Sequence, residues 1–568
     1  MQDPSKPSSL LPESRAPLPV HPALLALASL LSPFVANRLE IPPTDLIRPA
    51  LVTLATVALI WLLLWVTLRR DLLRSALLTS TITFWLFAYG HLPLLYPLIT
   101  GIGMLFYPQI FAVNRNLFLF PLWLFVLVFV VTVLIRTRRS LQAPTVALNA
   151  TAAALLVSAL LPLAADRLRV PPSGTETYAK RQREGSIPAG ANGTAPQSGT
   201  PPPLRGALPT PAAPDIYFIV LDAYGREDVL RQYYGFDNAP FIRQLEEKGF
   251  FVASQSRANY NQTVLCLAAA LGMRYSDDIG HSQPPNSRNT LPLTDRADRS
   301  ATAAFLKARG YHYLAVTTGF PLTLASSADI LYGNDTTPPV ERLTAYESLL
   351  IGITPFCLVP RVNRTLYDGH RDALSAAWHH LEAIPTEQPF RKFVYVHLLA
   401  PHPPFVFDAQ GRSVAPENKP YSLADASDFL RTNPREIYRD GYVKQIQHVN
   451  RRTLAALSIV LKKSSTPPII VLIGDHGPRL CLDYQSLDNT DVRECFGNLF
   501  AVYLPGGANR ARTLFGDTIS PVNSFRLLFD QQFGATFPRL PDRSYYSMPR
   551  TPYKVTDVTE RTALSAPR

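Results

Sequence analysis

Five apolar runs in the first 165 residues constrain this chain more than anything that follows them. They lie near Pro22–Ala36, Ala50–Leu68, Leu72–Phe87 (extending toward Ile99), Leu117–Ile135 and Thr145–Ala164. Crossing a hydrocarbon core takes about 20 apolar helical residues, and most of the runs reach or approach that length. Backbone in lipid must satisfy its own hydrogen bonds, so such runs are read as helices. The first run is short and broken by Pro33. Its other reading is a removed signal peptide, against which stand the missing small-residue cleavage pattern and the spans behind it. Arg69, Arg70 and Arg74 follow the second run, and Arg136, Arg138 and Arg139 follow the fourth. Basic loops stay on the cytoplasmic side. Five spans then put the N-terminus inside and everything after residue 165 outside.

Around this membrane part the composition shifts sharply. Residues 1–21 are polar and proline-rich and read as a disordered lead-in. The segment 166–214 contains Pro171–Pro214, with ten prolines and six glycines, and reads as an extended tether. From 215 to 547 strand-like and helix-like runs alternate. Strands are predicted at Ile216–Leu221, Tyr311–Val316, Phe393–Leu398, Ile469–Ile473 and Asn498–Leu504. Helices are predicted at Asn238–Lys248, Thr263–Leu271, Ala301–Ala308 and Glu436–Lys462. That alternation predicts an α/β domain with a mainly parallel sheet flanked by helices. Residues 548–568 read as a loose tail. The net charge of +12 favours anionic partners. Without zinc-finger spacing or a Lys/Arg-rich recognition run, the expected partner is a lipid surface and not nucleic acid. Four cysteines are too few for a disulfide scaffold. Cys481 and Cys495 either pair in an oxidising compartment or stay as two thiols.

The chemistry gathers at strand ends. Ile216–Tyr224 (IYFIVLDAY) is an apolar run that closes on Asp222, and Ile469–Gly477 (IIVLIGDHG) closes on Asp475 and His476. In open α/β sheets ligands bind beyond the carboxyl ends of the strands. Asp222, Asp475 and His476 suit a divalent metal such as Zn, Mn, Mg or Ca, although a lone Asp at a strand end is as often a turn or cap residue. Thr263 stands where a helix begins, behind Asn259. It reads either as an N-cap threonine or as a nucleophile activated by a metal and the helix N-terminus. His397 and His402 follow a strand in FVYVHLLAPHPPF. They can bind an oxyanion, protonate a leaving group or ligate a second metal. Arg479, close behind His476, reads as an anion contact or a surface arginine.

Together IVLDAYGRED, NYNQTVLCLAAALGM, VYVHLLAPHPPF and VLIGDHGPR resemble, in order, the motifs of sulfatase-like proteins of the alkaline phosphatase superfamily. The spans followed by an outward domain look like lipoteichoic acid synthases and phosphoethanolamine transferases. The resemblance covers roughly Asp215 to Ser547. It implies an alkaline-phosphatase-like domain with one divalent metal ion held by Asp222, Thr263, Asp475 and His476. Thr263 would be the covalent nucleophile. His402, His397, Asn259 and Arg479 would face the transferred group, and the substrate would be an anionic lipid or glycan of the cell envelope. Two departures stand out. Cys266 is followed by Leu267, Ala268 and Ala269 and so lacks the C/S-x-P-x-R context of sulfatases. Asp222 stands where the transferases carry Glu. A metal-dependent phosphate-ester transferase or hydrolase is the expectation. A sulfatase-type hydrolase and a non-catalytic polymer-binding domain are the alternatives.

Overall fold

The computed structural model describes residues 17–38, 41, 43–91, 115–169 and 213–563, apart from 285, 319, 321, 322, 324, 334–342, 417–420 and 432. The expected lead-in and most of the expected tether lie outside the described residues. Two compact units form. One holds the described residues up to Ala191 together with Tyr346–Phe356, and the other holds those of Asn192–Ala345 and Cys357–Arg568.

The first unit is helical: α1 (His21–Ala36), α2 (Ile47–Thr67), α3 (Leu72–Ala88), α4 (Arg115–Arg136) and α5 (Gln142–Arg169). Each predicted run carries one helix. Two stretches, Pro43–Thr67 and Gln142–Ala164, are long and apolar enough to cross a membrane. His21–Ala36, Leu72–Ala88 and Phe120–Arg136 are apolar but shorter. Apolar side chains on α2 (Leu51, Leu59, Leu63, Val66), α4 (Phe125, Phe129) and α5 (Val157, Leu161) point outward, as on a surface facing lipid. The inward face is held partly by polar groups. His21 Nδ1 lies 2.6 Å from Ser80 Oγ, and Asn149 Oδ1 accepts from the amides of Val20 and His21. At the end where α2 passes to α3, Arg74 donates to the carbonyl oxygens of Ile135 and Thr137. A short helix, Ala345–Gly352, completes this unit: Tyr346 donates to the Leu30 carbonyl, and Glu347 pairs with Arg48.

The second unit is built on β1 (Ile216–Leu221), β2 (Phe251–Val252), β3 (His312–Thr317), β4 (Ile330–Tyr332), β5 (Lys392–Leu398), β6 (Ile469–Gly474) and β7 (Phe500–Tyr503), in the order β2-β7-β6-β1-β5-β3-β4. Strands β6, β1, β5, β3 and β4 run parallel; at one edge β7 pairs antiparallel with β6, and β2 pairs antiparallel with β7. Every residue of β1 is buried, which is why it reads as an unbroken apolar run. Its alternate residues feed two cores. Tyr217, Ile219 and Leu221 pack on one face with residues of α7 (Pro360–Glu387) and α8 (Arg435–Lys463). Ile216, Phe218 and Val220 pack on the other face with Leu267, Ala270 and Leu271 of α6 (Thr263–Gly272).

One expectation is corrected here, and one open alternative is decided. The region read as a loose tail carries β9 (Thr551–Asp557), which forms a hairpin with β8 (Tyr545–Met548) at the end of the preceding segment. It is anchored because the Asn261 side chain exchanges two hydrogen bonds with the backbone of Ser547. All four cysteines are free thiols. Cys495 Sγ turns toward the Glu494 carboxylate, while Cys481 Sγ lies against Arg435.

Acid should weaken this unit. Burial first of all holds the imidazoles of His370 on α7 and His448 on α8 down to about 4. In the unfolded chain a histidine takes its proton near about 6.5. Their folded pKa is lowered, so the stability they contribute is present above about pH 6.5 and is lost as pH falls toward 4. The urea midpoint of the purified protein should therefore drop between about pH 7.5 and 5. His448→Phe, which keeps a ring against Phe407 (centroids 4.2 Å apart), should shrink the drop.

Candidate active site

The register places the ligand-type residues side by side. Leu221 pairs with Gly474 on β6 and with Leu398 on β5, so Asp222 and Asp475 leave adjacent strands at the same level. Ala223 then turns at φ 62°, and its amide donates to Asp475 Oδ1 at 3.1 Å. Glycine is required behind the second strand. A Cβ on Gly474 would sit 2.3 Å from the Tyr224 carbonyl oxygen, and one on Gly477 would sit 2.0 Å from that of Glu494.

His476 Nδ1 lies 2.9 Å from the Gly477 carbonyl oxygen. That contact puts the ring proton on Nδ1 and aims the Nε2 lone pair inward. Nε2 is 3.1 Å from Asp475 Oδ2, 3.6 Å from Asp222 Oδ1 and 3.1 Å from Thr263 Oγ1. Ligand atoms of Asp222, Asp475 and His476 all lie within 4.8 Å of one another. Both oxygens of Asp222 and Oδ2 of Asp475 are buried without a hydrogen-bond partner. Unpaired buried carboxylate oxygens are costly, and a divalent cation among them would satisfy all three. Burial alone would raise the Asp475 carboxyl, but His476 and Arg479 hold it well below the usual carboxylate range.

Thr263 is not the N-cap of its helix. The N-cap of α6 is Gln262, in extended conformation, and Thr263 is the first helical residue. The Gln262 side chain donates instead to Ser547 on the C-terminal hairpin. The threonine hydroxyl is thereby left to face His476, at the helix N-terminus where an anion is favoured. Cys266 lies one turn on. Its thiol points at the Tyr260 carbonyl, and burial pushes it well above its ordinary range.

A second layer borders the threonine. Arg479 Nη2 lies 3.5 Å from Thr263 Oγ1. Its Nη1 donates to Asp425 Oδ2 at 2.6 Å. His402 presents Nε2 to the same oxygen at 3.1 Å and Nδ1 to the Pro403 carbonyl at 2.5 Å. With an acceptor at each ring nitrogen, His402 is held as a cation. Burial would lower its pKa, but Asp222 and Asp425 raise it. No ring lone pair is left for a second metal. His397 is fully buried, with Nε2 3.4 Å from Asp222 Oδ2 and neither ring nitrogen hydrogen-bonded. It therefore stands behind the Asp222 carboxylate. Asn259 does not reach the site. Its amide donates to Tyr275 and the Arg543 carbonyl and accepts from the Val522 amide, so it ties loops together.

Sequence reasoning missed Asp425, Tyr484 and a face of α8. Tyr438 donates to the Pro478 carbonyl. Tyr442 donates to Ala223 O at 2.8 Å and accepts from the Gly225 amide. Gln445 binds the carbonyls of Pro401 and His402 and the Val406 amide. One helix face thus pins the loops after β6, β1 and β5. Its spacing (i, i+4, i+7) was visible in the sequence, but a core stripe looks the same.

No family model matches this chain, and no curated protein does. Among solved structures, the C-terminal periplasmic domain of EptC from Escherichia coli, in complex with Zn, aligns at 13% identity over 61% of this chain and 93% of that one, with a TM-score of 0.38. The soluble domain of lipooligosaccharide phosphoethanolamine transferase A from Neisseria meningitidis aligns at 10% identity over 59% and 92%, with a TM-score of 0.36. A protein in the alkaline phosphatase superfamily from Vibrio parahaemolyticus aligns at 13% identity over 60% and 75%, with a TM-score of 0.35. Likeness at this level says nothing about substrate.

Proposed function

We propose that this chain is a membrane-anchored, metal-dependent enzyme that transfers or hydrolyses a phosphate ester through Thr263. One observation carries the reading. The hydroxyl of Thr263, at a helix N-terminus, lies 3.1 Å from His476 Nε2, where three partnerless carboxylate oxygens converge. Asp222, Asp475, His476 and Thr263 would hold one divalent ion, which supplies Lewis acidity toward the phosphoryl oxygens and a lowered hydroxyl pKa. Thr263 Oγ1 gives up its proton and attacks phosphorus. The Oγ1–P bond forms as the ester P–O bond breaks, and the departing alkoxide takes up the equivalent of the proton lost from Oγ1 and leaves as the alcohol. Water or an acceptor hydroxyl then cleaves the Thr263 ester. Arg479 and the cationic His402 stabilise the charge that gathers on the phosphoryl oxygens. Cys266, buried and turned away, argues against formylglycine chemistry and hence against a sulfatase.

On this reading α1 to α5 of the first unit are spans, the two long apolar stretches among them. Arg74 bonds the turn after α4, so the two arginine-bearing turns share one end of the bundle. The basic-loop rule makes that end cytoplasmic. The second unit then works outside, on an anionic lipid headgroup or envelope glycan. The test is the mass of the tryptic peptide Ala258–Arg274 from protein purified from its own host. A phosphoryl-type adduct on Thr263 is expected. Formylglycine at position 266 would replace this reading with a sulfatase.

A further inference from the structure

Arg479 sits at φ 69°, a conformation non-glycine residues seldom hold without local support. It is almost wholly buried, as are Asp425 and His402. Its guanidinium has two unequal edges. Nη1 is committed to Asp425 Oδ2 at 2.6 Å and Tyr484 Oη at 3.3 Å. Nε has no partner, although it is buried, and Nη2 lies against His476 Nε2 and also faces Thr263 Oγ1. The Nε–Nη2 edge is the fork that takes two oxygens of one tetrahedral anion side by side. A partnerless buried N–H aimed along that edge marks a position where an acceptor belongs.

The orientation comes from Asp425. This one carboxylate takes Arg479 and His402 on Oδ2 and the Tyr484 hydroxyl on Oδ1. Two cations meet one anion here, which leaves one positive charge turned toward the threonine. Freed of Asp425, the guanidinium could rotate and present any edge.

We infer that Asp425 is a positioning residue that turns the Nε–Nη2 fork of Arg479 onto two non-bridging oxygens of the phosphoryl group on Thr263. This rests on the function proposed above, and it makes a tetrahedral oxyanion, whatever ester it carries, the recognised element.

The test uses full-length protein in detergent, loaded with zinc, and titrates inorganic phosphate by calorimetry. Asp425→Asn should weaken phosphate at least about tenfold, the scale of a lost charge-assisted hydrogen bond, with zinc affinity unchanged. Arg479→Met should do the same. The double variant should bind phosphate no more weakly than Arg479→Met alone, because Asp425 acts through the arginine. Tyr484→Phe, a milder change at the same carboxylate, should weaken phosphate about threefold. It keeps the inference testable if Asp425→Asn does not fold. Wild-type phosphate affinity in the Asp425 and Tyr484 variants would overturn it. So would multiplying effects in the double variant, or zinc affinity falling in step with phosphate. Wild-type protein that takes up neither zinc nor phosphate would instead overturn the proposed function itself.

Discussion

Thr263→Ala should abolish turnover, by on the order of 10³-fold or more, while the domain still folds and takes up metal. The substitution removes Oγ1, the atom 3.1 Å from His476 Nε2. It removes little else, because the N-cap of α6 is Gln262 and that residue is anchored on Ser547. Alanine is a good helix former, so α6 should keep its start. Asp222, Asp475 and His476 remain, so metal affinity should fall far less than rate. Hydrolysis of a chromogenic phosphate ester, read beside zinc binding and thermal melting, separates the two. Thr263→Ser should retain measurable rate. Activity surviving in the alanine variant would remove Thr263 from its assigned role.

Gly477→Ala should destabilise the second unit by about 3 kcal/mol or more, the upper range for forcing an atom into a packed site. The added Cβ would meet backbone on every side: Glu494 O at 2.0 Å, and Cys495 C and O at 3.0 Å each. None of these is the end of a flexible side chain, so relief requires moving the chain. The Gly477 amide also donates to Cys495 O at 2.8 Å, and its carbonyl orients the His476 ring. Zinc affinity should therefore fall together with the denaturation midpoint. An alanine variant with both quantities intact would show that the loop has slack the packing distances exclude.

The parts legible in the sequence are those whose signal is local. Ile216–Leu221 and Ile469–Ile473 are unbroken apolar runs because both sheet faces are covered, and the strands match them to within a residue. Asp222, Asp475 and His476 follow from strand ends alone, and the register brings them together. The helix Thr263–Gly272 begins where expected, but only its capping geometry separates the two roles of Thr263. Asp425 was invisible. It lies on irregular chain before a five-residue helix, and its three partners come from distant loops. Asn259 misled for the opposite reason. It lies four residues before Thr263 in sequence, but loop side chains have no period from which direction can be read. The hairpin at 545–557 was missed because β8 has only four residues, β9 is mostly exposed and so carries no apolar run, and its anchor, Asn261, is far away in the chain.

The strand order also dictates when this site can assemble during synthesis. β1 is made first, yet its hydrogen-bonded neighbours are β5 and β6, so an apolar strand waits unpaired until residues 392–398 and then 469–474 have been added. Long-range parallel pairing of this kind is slow and leaves sticky edges open meanwhile. Asp475, His476 and Arg479 come later still. A nascent chain stopped before β6 carries Thr263 with no pocket to use it in. The ribosome must therefore pass residue 479 before these side chains can gather in one place.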